Sequence, residues 1–326
     1  MEPTAAEFER AAAGDAQSVA RLLVYADTLT ARGDPLGALI VLQTTDREAN
    51  PLLELELTTK LRQSLGIGSR ELQSLAMEWR WGFVDTLTLK GVKGADHAVL
   101  LSTVLASPAL RFVRHLKVQL GNLGTAAQQD ASWLADVEAL SKLELLKRFS
   151  CPTGIKKFGE VVARLPRLEH LTLGTEGLPA KKHLAIPTLR SLELLGFGPN
   201  VDRLFVKPAW TELTHLKVEQ EIDSINEVLT KCPLTSADLF GSQNVMRNLV
   251  ESAHVAKLQK LTLRKVAGLR PLVEGRAALK HLTLHLIDGF ATQEDVGTLK
   301  ASVKQLSFAG LLGPPLPGGY SLPIRL

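Results

Sequence analysis

Apolar and polar positions along this chain recur in a short unit: apolar, two variable residues, leucine, one variable residue, apolar. It opens at Val84-x-x-Leu87-x-Leu89 and returns at Val113-x-x-Leu116-x-Val118 and, less regularly, at Leu146-x-x-Phe149-x-Cys151. It continues through Leu168-x-x-Leu171-x-Leu173, Leu189-x-x-Leu192-x-Leu194, Leu213-x-x-Leu216-x-Val218 and Leu234-x-x-Ala237-x-Leu239. The series closes at Leu258-x-x-Leu261-x-Leu263, Leu279-x-x-Leu282-x-Leu284 and Val303-x-x-Leu306-x-Phe308. Central residues are separated by 29, 33, 22, 21, 24, 21, 24, 21 and 24 positions. Side chains of a strand point alternately to its two faces. Each unit therefore predicts a short strand with its central and final apolar residues turned into a core. The residues before and after the central one face outward. Intervening stretches at 98–105, 222–231 and 243–254 have helical composition and predict the opposite layer.

The first 80 residues follow a different period. Val19, Leu22, Leu23, Ala26 and Leu29 fall at helical spacing over residues 16–31. Gly33 suits the left-handed position past a helix end. Asp34 and Pro35 read as the cap and first residue of a second helix with Leu36, Leu39, Ile40 and Leu42 inward. Leu53, Leu57 and Leu61 predict a third helix, and Leu72 with Leu75 a fourth.

The repeat spacing matches leucine-rich repeats, whose period is about 20–29 residues. That likeness implies an α/β solenoid: a curved parallel sheet with convex helices and loops. The segment Leu22-Leu23-Val24-Tyr25-Ala26-Asp27-Thr28-Leu29, then Arg32-Gly33-Asp34-Pro35 and Leu42-Gln43, resembles the repeat-companion domain at the N-terminus of certain bacterial leucine-rich-repeat proteins. Trp79-Arg80-Trp81-Gly82-Phe83-Val84 is similar to that family's junction into the repeats. The resemblance departs at Thr28, where the family has tryptophan, and it implies no activity. The expected organisation is a small all-α head over 1–80, about ten repeats over 81–311, and a Pro/Gly-rich tail over 312–326. One further departure concerns the turns. The usual repeat places asparagine or cysteine three positions after its last apolar residue, and here those positions hold Val92, Gly121, Gly154, Glu176, Phe197, Glu221, Ser242, Val266, Ile287 and Leu311. The turns must be satisfied in another way.

Composition sharpens this picture. Leucine supplies 61 of 326 residues while aromatics make up only 5%, which suits repeated like environments better than one irregular interior. No apolar run reaches the ~18 residues of a membrane-spanning helix. Glu2, Glu7 and Glu9 stand where an export leader carries basic residues, so a cytoplasmic location is expected. Two cysteines, Cys151 and Cys232, are too few for a disulfide framework and read as buried small apolar residues. The net charge of +4 divides unevenly: residues 1–80 hold 8 basic and 12 acidic side chains, a balance of −4, leaving +8 for the remainder.

The outward columns are where function is expected. His115, Lys117, Arg148, His170, Glu193, His215, Lys217, Asp238, Lys260 and His281 are the candidate partner-binding residues on the concave face, in a setting with only two acids. Metal binding is not expected, because His170 and His215 lie two repeats apart, about 10 Å at the usual strand spacing, whereas donors to one zinc lie far closer. No cofactor is called for. No nucleophile elbow, phosphate loop or zinc-protease motif is present, so an enzyme is not expected. The sequence thus points to a protein-binding adaptor, with a nucleic acid or other anionic polymer as the alternative partner. Against that alternative, the two outward columns hold no aromatic residue for base stacking.

Overall fold

The computed structural model describes residues 2–45, 50–121, 123, 130–176, 178, 186–206, 208–251, 257–265, 272, 283–287, 298 and 305–309. The chain forms two compact units, Met1–Leu168 and Glu169–Leu326.

The first unit begins with helices α1 (Ala5–Ala12), α2 (Ala16–Thr30), α3 (Pro35–Thr45), α4 (Pro51–Gln63) and the short α5 (Ser69–Gln73). Thr4 and Glu7 close a capping box on α1, and Asp15 caps α2 through the Ser18 amide. The α2–α3 hairpin forms as its sequence predicts, with Gly33 at φ +75° and the Leu36 amide donating to Asp34. The apolar spacing does not mark helix α1, although Thr4-Ala-Ala-Glu7 is a capping-box signature. The predicted fourth helix is corrected at its end. α5 stops at Gln73, and Leu75 begins a strand, β1 (Leu75–Arg80), antiparallel to β2 (Phe83–Lys90). Trp81 and Gly82 form the turn, at φ +55° and +82°. Two successive left-handed residues match the right-handed twist of the flanking strands, so the chain reverses tightly. Leu75 is buried, as its apolar character requires, but on a strand rather than a helix.

From β2 the chain enters parallel pairing. Helix α6 (His97–Leu105) connects to β3 (His115–Gln119), which is followed by β4 (Arg148–Cys151). Leu87, Leu116 and Phe149 stand opposite one another across β2, β3 and β4. All three are buried, so the irregular unit around Phe149 is a true strand. An aromatic cluster joins helix to sheet: Phe8 of α1 stacks on Phe112 at 4.7 Å and meets the edge of Phe83 at 5.4 Å.

The second unit continues with β5 (His170–Gly174), β6 (Ser191–Leu195), β7 (His215–Val218), β8 (Ser236–Phe240), β9 (Lys260–Arg264), β10 (Thr283–Ile287) and β11 (Gln305–Ala309), all in sequential parallel pairing. Leu171, Leu192, Leu216, Ala237 and Leu261 form one buried row, and Leu173, Leu194, Val218, Leu239 and Leu263 the next. Connecting helices at Val201–Phe205, Asn226–Lys231 and Gln243–Glu251 bury Val201, Leu204, Phe205, Val228, Leu229 and Leu249.

One register differs from expectation. Leu284, rather than Leu282, pairs with Leu261 on one side and Leu306 on the other. The run Leu282-Thr-Leu284-His-Leu286 repeats leucine at every second position, so a slip of two residues leaves the alternation intact and hydrophobicity cannot choose. The observed separations are 23 and 22 residues, more even than the 21 and 24 read from the pattern.

The missing asparagine is replaced piecemeal. Thr175 donates its hydroxyl to the Leu195 carbonyl at 3.1 Å. Glu219 accepts from the Gly196 amide at 3.2 Å. Gln220 clasps Gly198, accepting from its amide at 2.6 Å and donating to its carbonyl at 3.1 Å. A Cβ at Gly198 would overlap the Thr175 carbonyl, so glycine permits that close approach. Strand starts carry a second ladder, in which Thr214 donates its hydroxyl to the Arg190 carbonyl and Thr235 to that of Thr214, at 3.1 and 3.2 Å.

Candidate functional site

The outward columns assemble strand by strand within each unit. In the first, Thr86, His115 and Arg148 are neighbours, as are Thr88, Lys117 and Ser150. In the second, Ser191, His215, Ser236, Lys260 and Thr283 form one row, with Glu193, Lys217, Asp238, Thr262 and His285 beside it. His170 and Thr172 precede them opposite Ser191 and Glu193. Thr283 occupies the place opposite Lys260 that the pattern assigns to His281. His281 itself lies outside the described residues. The parity of the strands explains the exposure: inward neighbours are buried, while His115, Lys117, His170, Glu193, His215, Lys217 and Asp238 are half-buried and Arg148 and Lys260 exposed. Thr86 and Thr88, flanked on both sides by β1 and β3, are buried.

The charges on these rows are more balanced than the residue counts indicate. Asp238 accepts a forked pair of hydrogen bonds from Arg264, both at 2.7 Å. Two parallel N–H donors fit the two carboxylate oxygens, the strongest common geometry for such a pair. Lys217 reaches Glu219 at 3.3 Å, His215 approaches Glu193 at 4.0 Å, and Lys117 approaches Glu78 of β1 at 3.9 Å. Arg264 lies outside the two outward positions that the repeat pattern marks on each strand. It is the third, two residues beyond Thr262, and a diagonal neighbour of Asp238 across the strand pair. Glu78 escapes the pattern for another reason: it lies on β1, in a head expected to hold helices and no strand.

At the N-terminal end of the strands lies a second line of ion pairs. Arg114 binds Asp85 on the preceding strand. Arg190 stands between Glu169, at 3.9 Å, and Glu212, at 3.2 Å. These pairs link successive repeats and consume charge that the sequence leaves unassigned.

Reactive groups of other kinds are quiet. Cys151 and Cys232 are buried, and burial pushes each thiol up to about 11, so both stay protonated at neutral pH. The Cys232 thiol donates to the Trp210 carbonyl at 3.2 Å. Among the described residues no group of three or more His, Cys, Asp or Glu side chains could hold a metal ion. No helix among them is long and apolar enough to cross a membrane.

Sequential parallel strands, one per repeat, with inward leucine rows and helices in the connections define a protein of leucine-rich-repeat fold. A crystal structure of a protein from Bacteroides fragilis is similar over 78% of this chain and 82% of that one, at 17% identity and a TM-score of 0.51. At that identity the likeness shows the fold alone. An internalin from Listeria monocytogenes is similar over 78% of this chain and 77% of its own, at 15% identity and a TM-score of 0.40. An internalin C2 from the same species follows at 14% identity, 70% and 81% coverage and a TM-score of 0.31. No protein-family model matches the sequence, and no curated protein does.

Proposed function

We propose that this is a non-enzymatic, cytoplasmic adaptor that binds a protein partner on the concave face of its repeats, through His115, Lys117, Arg148, His170, Glu193, His215, Lys217, Asp238 and Lys260. In this reading residues 1–80 are a companion-type head, 81–311 the repeat array and 312–326 a tail. The observation that carries it is the alternation of sign across neighbouring strands, with Glu193, Lys217 and Asp238 side by side and Arg264 locked onto Asp238. A face of mixed, mutually oriented charges selects a partner with a matching mixed pattern. A phosphate chain instead rewards uncompensated cations that release counterions on binding. Lys117 and Lys217, two of the lysines that would follow such a chain, already face carboxylates.

The test is affinity capture from native lysate, with and without nuclease, comparing wild type with a Lys117, Arg148, Lys217, Lys260→Glu variant. Protein partners that survive nuclease and disappear with the variant are the expected result. Recovery that depends on nucleic acid, or partners indifferent to the variant, would reject it.

A further inference from the structure

A second place on the first unit, the outer edge of its sheet, has a chemistry unlike that of the outward rows. Among the described strands β1 pairs with β2 alone, at the end of the sheet. The Lys90 amide donates to the Ser74 carbonyl at 2.9 Å, and Leu75 is opposite Leu89. Hydrogen-bonded and non-hydrogen-bonded pairs alternate in an antiparallel ladder. Ala76 and Glu78 therefore bond toward β2, while Leu75 and Met77 direct their amide and carbonyl groups to the open edge. The bulge between Glu78 and Trp79 and the tight turn at Trp81-Gly82 leave Trp79 directed outward as well.

Among the described residues just one of these edge groups is occupied from outside the sheet. Arg62 of α4 donates to the carbonyls of Leu72 and Leu75, both at 3.1 Å, and so closes the edge at its lower end. Above that point α4 and β1 stand apart, enclosing an open cleft of about 750 Å³. Leu55, Met77, Trp79 and Trp81 supply its apolar wall, Glu54, Glu78 and Asp85 its acids, and Arg80 its one base. Leu55 is 64% exposed, and Leu52, on the same helix, 78%. Natural sheets protect an open edge by covering it or by placing charge along it; here Glu78 and Arg80 supply charge, but Leu55, Met77 and the two tryptophans leave an apolar strip beside the edge uncovered.

The cleft is held in shape before anything enters. The Gly82 amide donates to Gln43 at 2.7 Å, and Gln43 in turn donates to Glu54. One side chain on α3 thus ties the hairpin turn to a carboxylate on the cleft wall. The occupant's charge follows from the surroundings, where three acids, Glu54, Glu78 and Asp85, face one base, Arg80. Glu78 is 70% exposed, 3.9 Å from Lys117, and residues 1–80 carry the −4 balance.

We propose that the free edge of β1 takes a basic, extended segment of a partner protein by strand addition. Its backbone would pair with Met77 and Trp79, apolar side chains would enter the trough beside Leu55 and the two tryptophans, and lysine or arginine on the other face would meet Glu78. Main-chain pairing supplies affinity in this mode, and alternate side chains supply specificity. The site touches the outward rows through the Glu78–Lys117 pair but does not rest on the concave-face reading, and would stand if that reading fell.

The probes are short synthetic peptides of alternating valine and lysine, the same with glutamate for lysine, and the lysine peptide N-methylated at alternate amides. Binding is read by tryptophan fluorescence and calorimetry. The lysine peptide is expected to bind and perturb the tryptophans, with the other two weaker by tenfold or more. Met77→Pro removes an outward amide without taking a bond from the β1–β2 ladder, and should weaken binding by a similar factor. Leu55→Arg, at an exposed helical site, should do the same with the fold intact, which keeps the test decisive if the proline variant misfolds. Equal binding of the N-methylated peptide, preference for the acidic peptide, or no binding at all would overturn the proposal. So would a concentration-dependent dimer in sedimentation that Met77→Pro abolishes, since the edge would then belong to a second copy of this chain.

Discussion

The two units solve the same packing problem with different materials. In Met1–Leu168 the core is assembled once, from unlike pieces: the ring cluster of Phe8, Phe83 and Phe112, the stacked pair of His97 and Trp133, and an antiparallel hairpin closing the sheet. In Glu169–Leu326 the core is mostly one piece repeated, rows of leucine and valine in register. A core of unlike shapes depends on each shape, because close-packed interiors relax only partly around a missing group. A core of like shapes spreads its stability over nearest neighbours. Damage in the first unit should therefore be deep and particular, and in the second, moderate and interchangeable.

The strongest way to break that contrast is truncation in each core. Phe112→Ala removes a ring 1% exposed that touches two others, and should cost about 3–5 kcal/mol in urea unfolding. Leu192→Ala and Leu216→Ala, both 0% exposed, should cost about 2–5 kcal/mol each and nearly the same as one another. A wide spread between these two leucines would show that the repeats are not equivalent environments.

Next in size is the hairpin turn. Gly82 sits at φ +82° with Ile40 against the place a Cβ would occupy, so Gly82→Ala should lose about 1–3 kcal/mol from strain and overlap together. Gly33→Ala, also at positive φ but with open space around it, should lose less. Equal losses would remove the packing part of the argument.

A smaller effect depends on pH. His97 accepts a hydrogen bond at Nε2 from the Val92 amide at 3.0 Å, and burial holds its pKa below the ordinary 6.5. The unfolded imidazole takes up its proton near 6.5, while the folded one resists until lower pH. Stability from this group is therefore complete above 6.5 and is lost as pH falls through that value toward the folded pKa. The difference in stability between wild type and His97→Phe should shrink over that range. A difference that stays constant with pH would show that the imidazole is not held neutral.

Smallest of all should be Lys260→Ala, an exposed outward residue, within about 0.5 kcal/mol of wild type in the same melts. A loss matching Leu216→Ala would overturn the inward and outward assignment of the strands.

What could be read from the sequence divides along the same line. Strand positions in the second unit follow from leucine spacing because one side of each strand must be dry. Only the Leu282–Leu286 run misled, since a two-residue slip costs no burial. The outward rows could be read by the same parity, residue by residue, up to β9. Their charge balance could not, because Arg264 reaches Asp238 diagonally from the next strand and Glu219 reaches back to Lys217 from just past the end of β7. In the first unit the α2–α3 hairpin was legible from Gly33-Asp34-Pro35. The β1–β2 hairpin was not, because Leu72 and Leu75 fit a helical spacing and Trp81 is an unusual left-handed residue. The cleft beside β1 depends on that hairpin and stayed hidden with it.

The clasp of Gln220 on Gly198, like the hydroxyl of Thr175 on Leu195 and the carboxylate of Glu219 on Gly196, joins each turn to a residue in a neighbouring repeat. An asparagine ladder uses one device throughout, so its rungs can be copied, deleted or exchanged. Here the three side-chain rungs between β5, β6 and β7 are made by three different pairs. A duplicated or transplanted repeat would arrive without the side chain that its new neighbour expects, leaving amides and carbonyls without their acceptors and donors. The array is modular in outline and yet committed to its order: its repeats can drift in sequence together, but they cannot be shuffled.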